Sequence, residues 1–179
     1  MQARPVRDEG DLLRILALQQ ANLARHLAPD EVVSQGFVTV EHTLDVLRRM
    51  QALAPSVVAE EEDGALAGYA LVMPVECRAF VPILEPMFSR LDALGVEHLY
   101  VMGQICVARP FRGRGVFDLL YAGHRELLCD RFERVVTEVA TRNTRSMRAH
   151  ARVGFRELER YRDATDEWSL LAWEWRRGA

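Results

Sequence analysis

The segment RPFRGRGV, residues 109–116, places three arginines and two glycines in seven positions, directly after an apolar run. Backbone N–H groups at a helix start lack intrahelical acceptors and together carry about half a positive charge. Glycine lets a ligand approach that backbone closely, and arginine adds fixed charge with forked donors. The pattern describes an anion site of the pyrophosphate kind around Arg112, Gly113, Arg114, Gly115, Val116 and Phe117. A dinucleotide fingerprint would need a third glycine, whereas Gly115 is followed by Val116, Phe117 and Asp118. A glycine-rich loop with exposed arginines fits the same residues.

Composition narrows the chemistry. None of the 23 basic residues is a lysine, which excludes a Schiff-base lysine and the lysine of a P-loop. A net charge of −3 argues against a nucleic-acid partner. Cys77, Cys106 and Cys129 are too few and too scattered for a disulfide framework or a zinc site, so no metal is expected. No apolar run reaches membrane-spanning length, and the opening MQARPVRDEGDLL has no apolar signal segment. The expectation is a cytoplasmic protein, 1–179 forming one domain.

The elements that must position this loop follow from periodicity. A short extended piece at Val6 leads into a helix with Asp8 or Asp11 near its start and Leu12, Ile15, Leu16 and Leu23 on one stripe. Residues 27–40 read as a loop, and 40–53 as an amphipathic helix stopped by Pro55. A hairpin over 56–74 turns at Asp63-Gly64. After an irregular, Pro-punctuated helix at 78–94 comes a buried strand at 97–108. A helix over 115–129 has Val116, Leu119, Leu120, Gly123 and Leu127 inward. A strand at 134–140, a helix at 144–153 stopped by Gly154, and two antiparallel strands around 162–167 complete the chain. The order β-α-α-β-β-(α)-β-α-β-α-β-β predicts an α/β (α+β) fold: a mixed sheet with one crossover at its centre.

Two blocks carry a resemblance. ICVARPFRGRGV resembles the coenzyme-A loop of the GNAT acetyltransferases, a valine-ended strand followed by Arg/Gln-x-x-Gly-x-Gly/Ala. Arg112 and Gly115 fill the first two fixed places, and Phe117 stands where the family has Gly or Ala. TEVATRNTRSMRAHARVGF resembles the family's next block, in which Asn143, Ser146, His150, Gly154 and Phe155 match. His150 replaces the usual Tyr there, as in some phosphinothricin-type relatives. Segment 78–94 is extra relative to the minimal fold.

The resemblance implies a mostly antiparallel central sheet of about seven strands flanked by helices. It also implies an acyl-CoA-dependent N-acyltransferase, with acetyl-CoA as co-substrate and a small-molecule or peptide amine as acceptor. The diphosphate would sit on residues 112–117. The backbone of Ile105, Cys106 and Val107 would pair with the pantetheine arm and polarise the thioester carbonyl. Asn143 would cap its helix and contact the cofactor. His150 is the candidate proton donor to the departing thiolate, and a structural histidine is the competing reading. Glu138 matches the base of ribosomal-protein alanine acetyltransferases. It lies on the opposite strand face from Val135, Thr137 and Val139, and a structural glutamate is again the alternative. Gln104 is suited to orienting a water but not to acting as a base, and Cys106 to packing.

The acceptor site would lie between the loop from His26 to His42 and the 162–167 loop. Asp163, Asp166 and Glu167 there suit a cationic acceptor, or a solvated turn. Arg142, Arg145, Arg148 and Arg152 form a mostly solvated helix face from which one or two could reach a CoA phosphate. Trp168, Trp173 and Trp175 suit the core or a homodimer contact. Competing readings are a non-catalytic acyl-CoA-binding module and a nucleotide site in the same loop.

Overall fold

The computed structural model describes residues 1–26, 28 and 37–175. Its strands are β1 (Gln2–Pro5), β2 (Val57–Glu60), β3 (Leu66–Pro74), β4 (Leu99–Val107), β5 (Arg134–Ala140), β6 (Arg156–Arg162) and β7 (Glu167–Glu174). They form one seven-stranded sheet in the order β1-β2-β3-β4-β5-β7-β6. Every neighbouring pair is antiparallel except β4–β5. Among the described residues five α-helices flank the sheet: α1 (Glu9–Gln20), α2 (Leu44–Leu53), α3 (Glu85–Ala93), α4 (Val116–Leu128) and α5 (Thr144–Val153).

Both faces of the sheet are covered, which is why β3 is buried almost continuously instead of alternating. On one face Leu12 and Ile15 of α1, Leu47 and Met50 of α2, and Met87, Phe88 and Leu91 of α3 pack against Tyr69, Leu71 and Val101. On the other, Val116, Leu120, Tyr121 and Leu128 of α4 meet Tyr100, Val135, Val139 and Phe155. Trp173 and Trp175 are half-buried against this second cluster.

Several expectations shift for local reasons. The first strand lies at Gln2–Pro5, with Val6 just beyond it, still donating its N–H to the Ser56 carbonyl at 2.8 Å. α2 starts at Leu44 because Thr43 caps it, its hydroxyl accepting the Val46 N–H at 3.3 Å. His42, expected inside that helix, is instead clamped by Gln19, whose amide pairs with both the His42 N–H and carbonyl at 3.0 Å. Only Gly64 takes positive φ in the hairpin turn, which is a longer loop closed by Glu61 and Ala65. Leu127 is exposed, since the inner stripe of α4 runs through Val116, Leu120, Tyr121, His124 and Leu128. The extra segment 78–94 takes in the end of a 3-10 helix (Val75–Ala79), a 3-10 turn (Pro82–Leu84) and α3.

The sheet is split at its centre. β4 and β5 pair only over three residues each, Leu99–Val101 with Arg134–Val136, although both strands continue. The Thr137 hydroxyl donates to the Met102 carbonyl at 3.0 Å, one step past the last paired residues. At that level β4 has an irregularity in its pairing with β3, between Ala70↔Ile105 and Val72↔Met102, so Gly103 and Gln104 stand opposite Leu71 alone. A side chain at Gly103 would strike the buried Met73, its Cβ lying 1.8 Å from Sδ, so Met73 would have to shift to admit one. Beyond the bulge β4 stays with β3 and leaves β5.

Candidate active site

Where the strands part, a cleft of about 780 Å³ opens. Its walls are the end of β4 at Ile105, Cys106 and Val107, the loop and helix start from Phe111 to Asp118, and the start of α5 from Asn143 to Ser146. Asn22, Phe37 and Val38 close the remaining side. Of the residues the sequence nominates for the cofactor, Ile105, Cys106, Val107, Arg112, Gly113, Gly115, Val116, Phe117 and Asn143 line this one cleft. Arg114 does not. It turns onto the hairpin, its guanidinium 2.7 Å from Glu61 and 5.2 Å from the Phe111 ring centre.

The arginine-glycine turn has the backbone its composition suggests. Gly113 and Gly115 have φ of 77° and 79°, and an added Cβ at either would meet nothing within 4 Å. These positions need glycine for their left-handed conformation, and the space above them is open. The N–H groups of Gly113, Gly115, Val116 and Phe117 have no main-chain acceptor among the described residues. They form a ready cradle for anionic oxygens at the head of α4.

The arginines behave differently from the sequence expectation. Arg112 folds inward, its guanidinium 2.6 Å from Asn22 Oδ1 and 3.3 Å from the Val107 carbonyl. It therefore fastens the loop to the strand end and to α1's C-terminal turn. Besides Arg112, the arginines lining the cleft come from α5: Arg145, Arg148 and Arg152. Arg152 is paired with Asp118 across the cleft rim at 3.0 Å. Asn143 caps α5, its Oδ1 accepting the Ser146 N–H at 3.2 Å.

His150 is 1% exposed and does not line the cleft. Its Nδ1 lies 2.9 Å from the Ser146 carbonyl, which can only accept, so Nδ1 bears the proton. Nε2 then accepts from the Tyr121 hydroxyl at 2.8 Å. Burial lowers the imidazole pKa to about 4. At neutral pH the ring is uncharged and its one N–H is already used. Phe117, which does line the cleft, stands edge-on against it with ring centres 5.0 Å apart.

Glu138 lies on β5 beyond the point of divergence and does not line the cleft either. It is half-buried, and its carboxylate accepts the Tyr161 hydroxyl. Burial raises its pKa, the Tyr161 hydrogen bond opposes that rise, and the Asp163 carboxylate adds to it. Cys106 is buried and its thiol is pushed up to about 12 by burial, which suits packing and not nucleophilic attack. Gln104 is engaged at both ends, accepting from the Tyr69 hydroxyl and donating to the Val40 carbonyl at 2.7 Å.

Sequence reasoning missed three participants. Asn22 carries no signal, because its partner Arg112 lies 90 residues away. Tyr121 was left off the expected inner stripe of α4, and its hydroxyl partner carries no local signal. Tyr161 alternates on β6 with charged residues and looks like edge-strand decoration. The proposed loop wall over His26 to His42 falls largely on 27 and 29–36, outside the described residues; Phe37 and Val38 reach the cleft. Among the described residues no helix is long and apolar enough to cross a membrane, and no group of three His, Cys, Asp or Glu could hold a metal ion.

Solved structures of similar fold are acetyltransferases. A ribosomal-protein-alanine N-acetyltransferase from Brucella melitensis is 20% identical, with a TM-score of 0.64 over 98% of this chain and 100% of its own. The yncA structure from Salmonella typhimurium, with its cofactor acetyl-CoA, is 18% identical, with a TM-score of 0.66 over 100% and 96%. Naa20 from Chaetomium thermophilum, in complex with a bisubstrate analogue, is 17% identical, with a TM-score of 0.66 over 97% and 86%. At such identities these likenesses establish the fold. No curated protein sequence matches the chain. The family model of the GNAT acetyltransferases matches residues 23–155, about three quarters of the chain. The chain therefore belongs to the acetyltransferase (GNAT) family, and it is an enzyme of that kind.

Proposed function

We propose that the protein transfers an acyl group, acetyl foremost, directly from acyl-CoA to a primary amine. The observation that carries this reading is the meeting, in one cleft, of the unpaired N–H groups at the head of α4 with a β4 end released from its neighbour. The N–H groups of Gly113 to Phe117 would hold the diphosphate, and the backbone of Ile105 to Val107 would pair with the pantetheine arm. Bound acetyl-CoA supplies an activated acyl carbon and a thiolate leaving group. Asn143 and Arg145 or Arg148 complete the anionic end of this site.

Glu138 is the candidate base. Its raised proton affinity suits it to take a proton from an ammonium acceptor, which frees the amine lone pair for attack. The neighbouring Asp163 favours a cationic acceptor at the same place. His150, neutral and enclosed, supports the cleft wall through Phe117 and Ser146 in this reading, instead of protonating the thiolate. A cytoplasmic location belongs to the same reading, supported by Cys77 and Cys106, both buried and outside any disulfide.

The test begins with thermal unfolding in the presence of acetyl-CoA, NAD or ATP. A ligand at about 100 times its dissociation constant adds roughly 2.7 kcal/mol of stability. A rise with acetyl-CoA alone supports the cofactor, and thiol release with an amine panel then supports the transfer. A rise with a nucleotide that desulfo-CoA does not compete away would overturn it. Binding without turnover on any amine would leave a binding module.

A further inference from the structure

The extra segment between β3 and β4 has a partner on the far side of the sheet's split. α3 buries Met87, Phe88 and Leu91, which sets Arg90 at the rim of its packed face. From there the Arg90 guanidinium lies over the Tyr161 ring, 4.1 Å from its centre, and pairs with Glu159. Glu159 and Tyr161 alternate on β6, so one guanidinium spans both. Tyr161 is buried, and its hydroxyl donates to Oε2 of Glu138, two strands away across β7.

From this chain of contacts we infer that Tyr161, held in place by Arg90 of the extra segment, is a positioning residue for the Glu138 carboxylate. The inference rests on the reading of Glu138 as the base that meets the acceptor amine. One carboxylate oxygen is anchored by the phenol, which leaves the other with its lone pairs directed elsewhere. A carboxylate in a half-buried place without such a donor would rotate, and would hold its proton more tightly. Tyr161 remains a donor at neutral pH, because burial and the adjacent Glu138 both oppose its ionisation.

Among the described residues the charged surroundings of Glu138 are few. β6 contributes Tyr161 with Glu159 behind it, the β6–β7 loop contributes Asp163, α3 contributes Arg90, and β7 sets apolar Leu170 opposite. Asp163 is itself tied to Thr165 and to the Asp166 N–H, which holds it ionised below the ordinary carboxylate range. The Tyr161 hydroxyl is thus the group that counteracts burial at Glu138. The extra segment closes the acceptor side by clamping the residue that orients the base.

The experiment is ¹³C NMR of the full chain labelled at glutamate carboxyls, with Glu138→Gln assigning the signal. Titrations of the parent, Tyr161→Phe and Arg90→Leu are run beside kcat/KM against pH, using acetyl-CoA and spermidine or an alanine-initiated peptide. Losing a donor to the charged form raises the pKa, so Tyr161→Phe should move the Glu138 midpoint upward. The acid limb of kcat/KM should move with it, with KM for acetyl-CoA unchanged. Arg90→Leu should give part of the same displacement. A Glu138 midpoint that stays in place in a folded Tyr161→Phe protein overturns the inference, whatever the activity. Full turnover in Glu138→Gln overturns the base reading instead, while a displaced midpoint would still establish the contact.

Discussion

Phe117 stands edge-on against His150, ring centres 5.0 Å apart, and only the phenylalanine faces the cleft. Position 117 is where the family pattern has Gly or Ala, so the larger ring occupies space that would otherwise join the imidazole to the cleft. The two departures from the family pattern, Phe117 and His150, are therefore one structural feature. Tyr121 and Phe155 complete the aromatic shell around the imidazole.

Phe117→Ala should open that shell. Removing a half-buried ring should cost about 2 kcal/mol of stability. It should also wet His150, whose pKa should climb from about 4 toward its ordinary value. Histidine NMR titration checks this, and an unmoved His150 signal would show that Phe117 is not what screens it.

His150→Phe removes two side-chain hydrogen bonds and strands the buried Tyr121 hydroxyl, while the Ser146 carbonyl keeps its helical bond. A loss of roughly 1–3 kcal/mol is expected, read as a lowered denaturation midpoint. Turnover and acetyl-CoA affinity should then fall together. A selective fall in kcat in a protein of undiminished stability would restore the proton-donor role.

Gly115→Val should injure the anion cradle with little steric conflict, since no atom lies within 4 Å of the new Cβ. The left-handed φ of 79° should cost about 1–2 kcal/mol. The stabilisation by acetyl-CoA should shrink as the side chain crowds the N–H groups. An unchanged thermal shift with acetyl-CoA would move the diphosphate site elsewhere.

His42, His124 and His150 are all buried, with pKa values lowered to about 4 by that burial. The unfolded chain binds protons at these positions below about pH 6.5, and the folded chain does not until about pH 4. Their contribution is thus complete above pH 6.5 and is lost as pH falls toward 4. The slope should reach at most about 1.4 kcal/mol per pH unit for each histidine. Denaturant midpoints at pH 7.5, 6 and 5 measure it, and a flat series would mean these rings take up protons while folded.

The element order and the Gly113–Gly115 turn were legible in the sequence because each is a local matter. Helix stripes, strand runs, caps such as Asn143 and the left-handed preference of glycine act within a few residues. Even local reasoning slipped where a distant partner intervened. His42 was drawn out of α2 by Gln19, and Leu127 lost its inner place to a stripe running through Tyr121 and His124. The site's side chains depended almost wholly on tertiary structure. Arg112 is held in the cleft wall by Asn22, Phe117 encloses His150, and Tyr161 reaches Glu138 across β7. Each of these contacts joins residues at least 23 positions apart. Residue type could say which groups were able to donate, accept or carry charge; burial and long-range packing decided which were already spoken for.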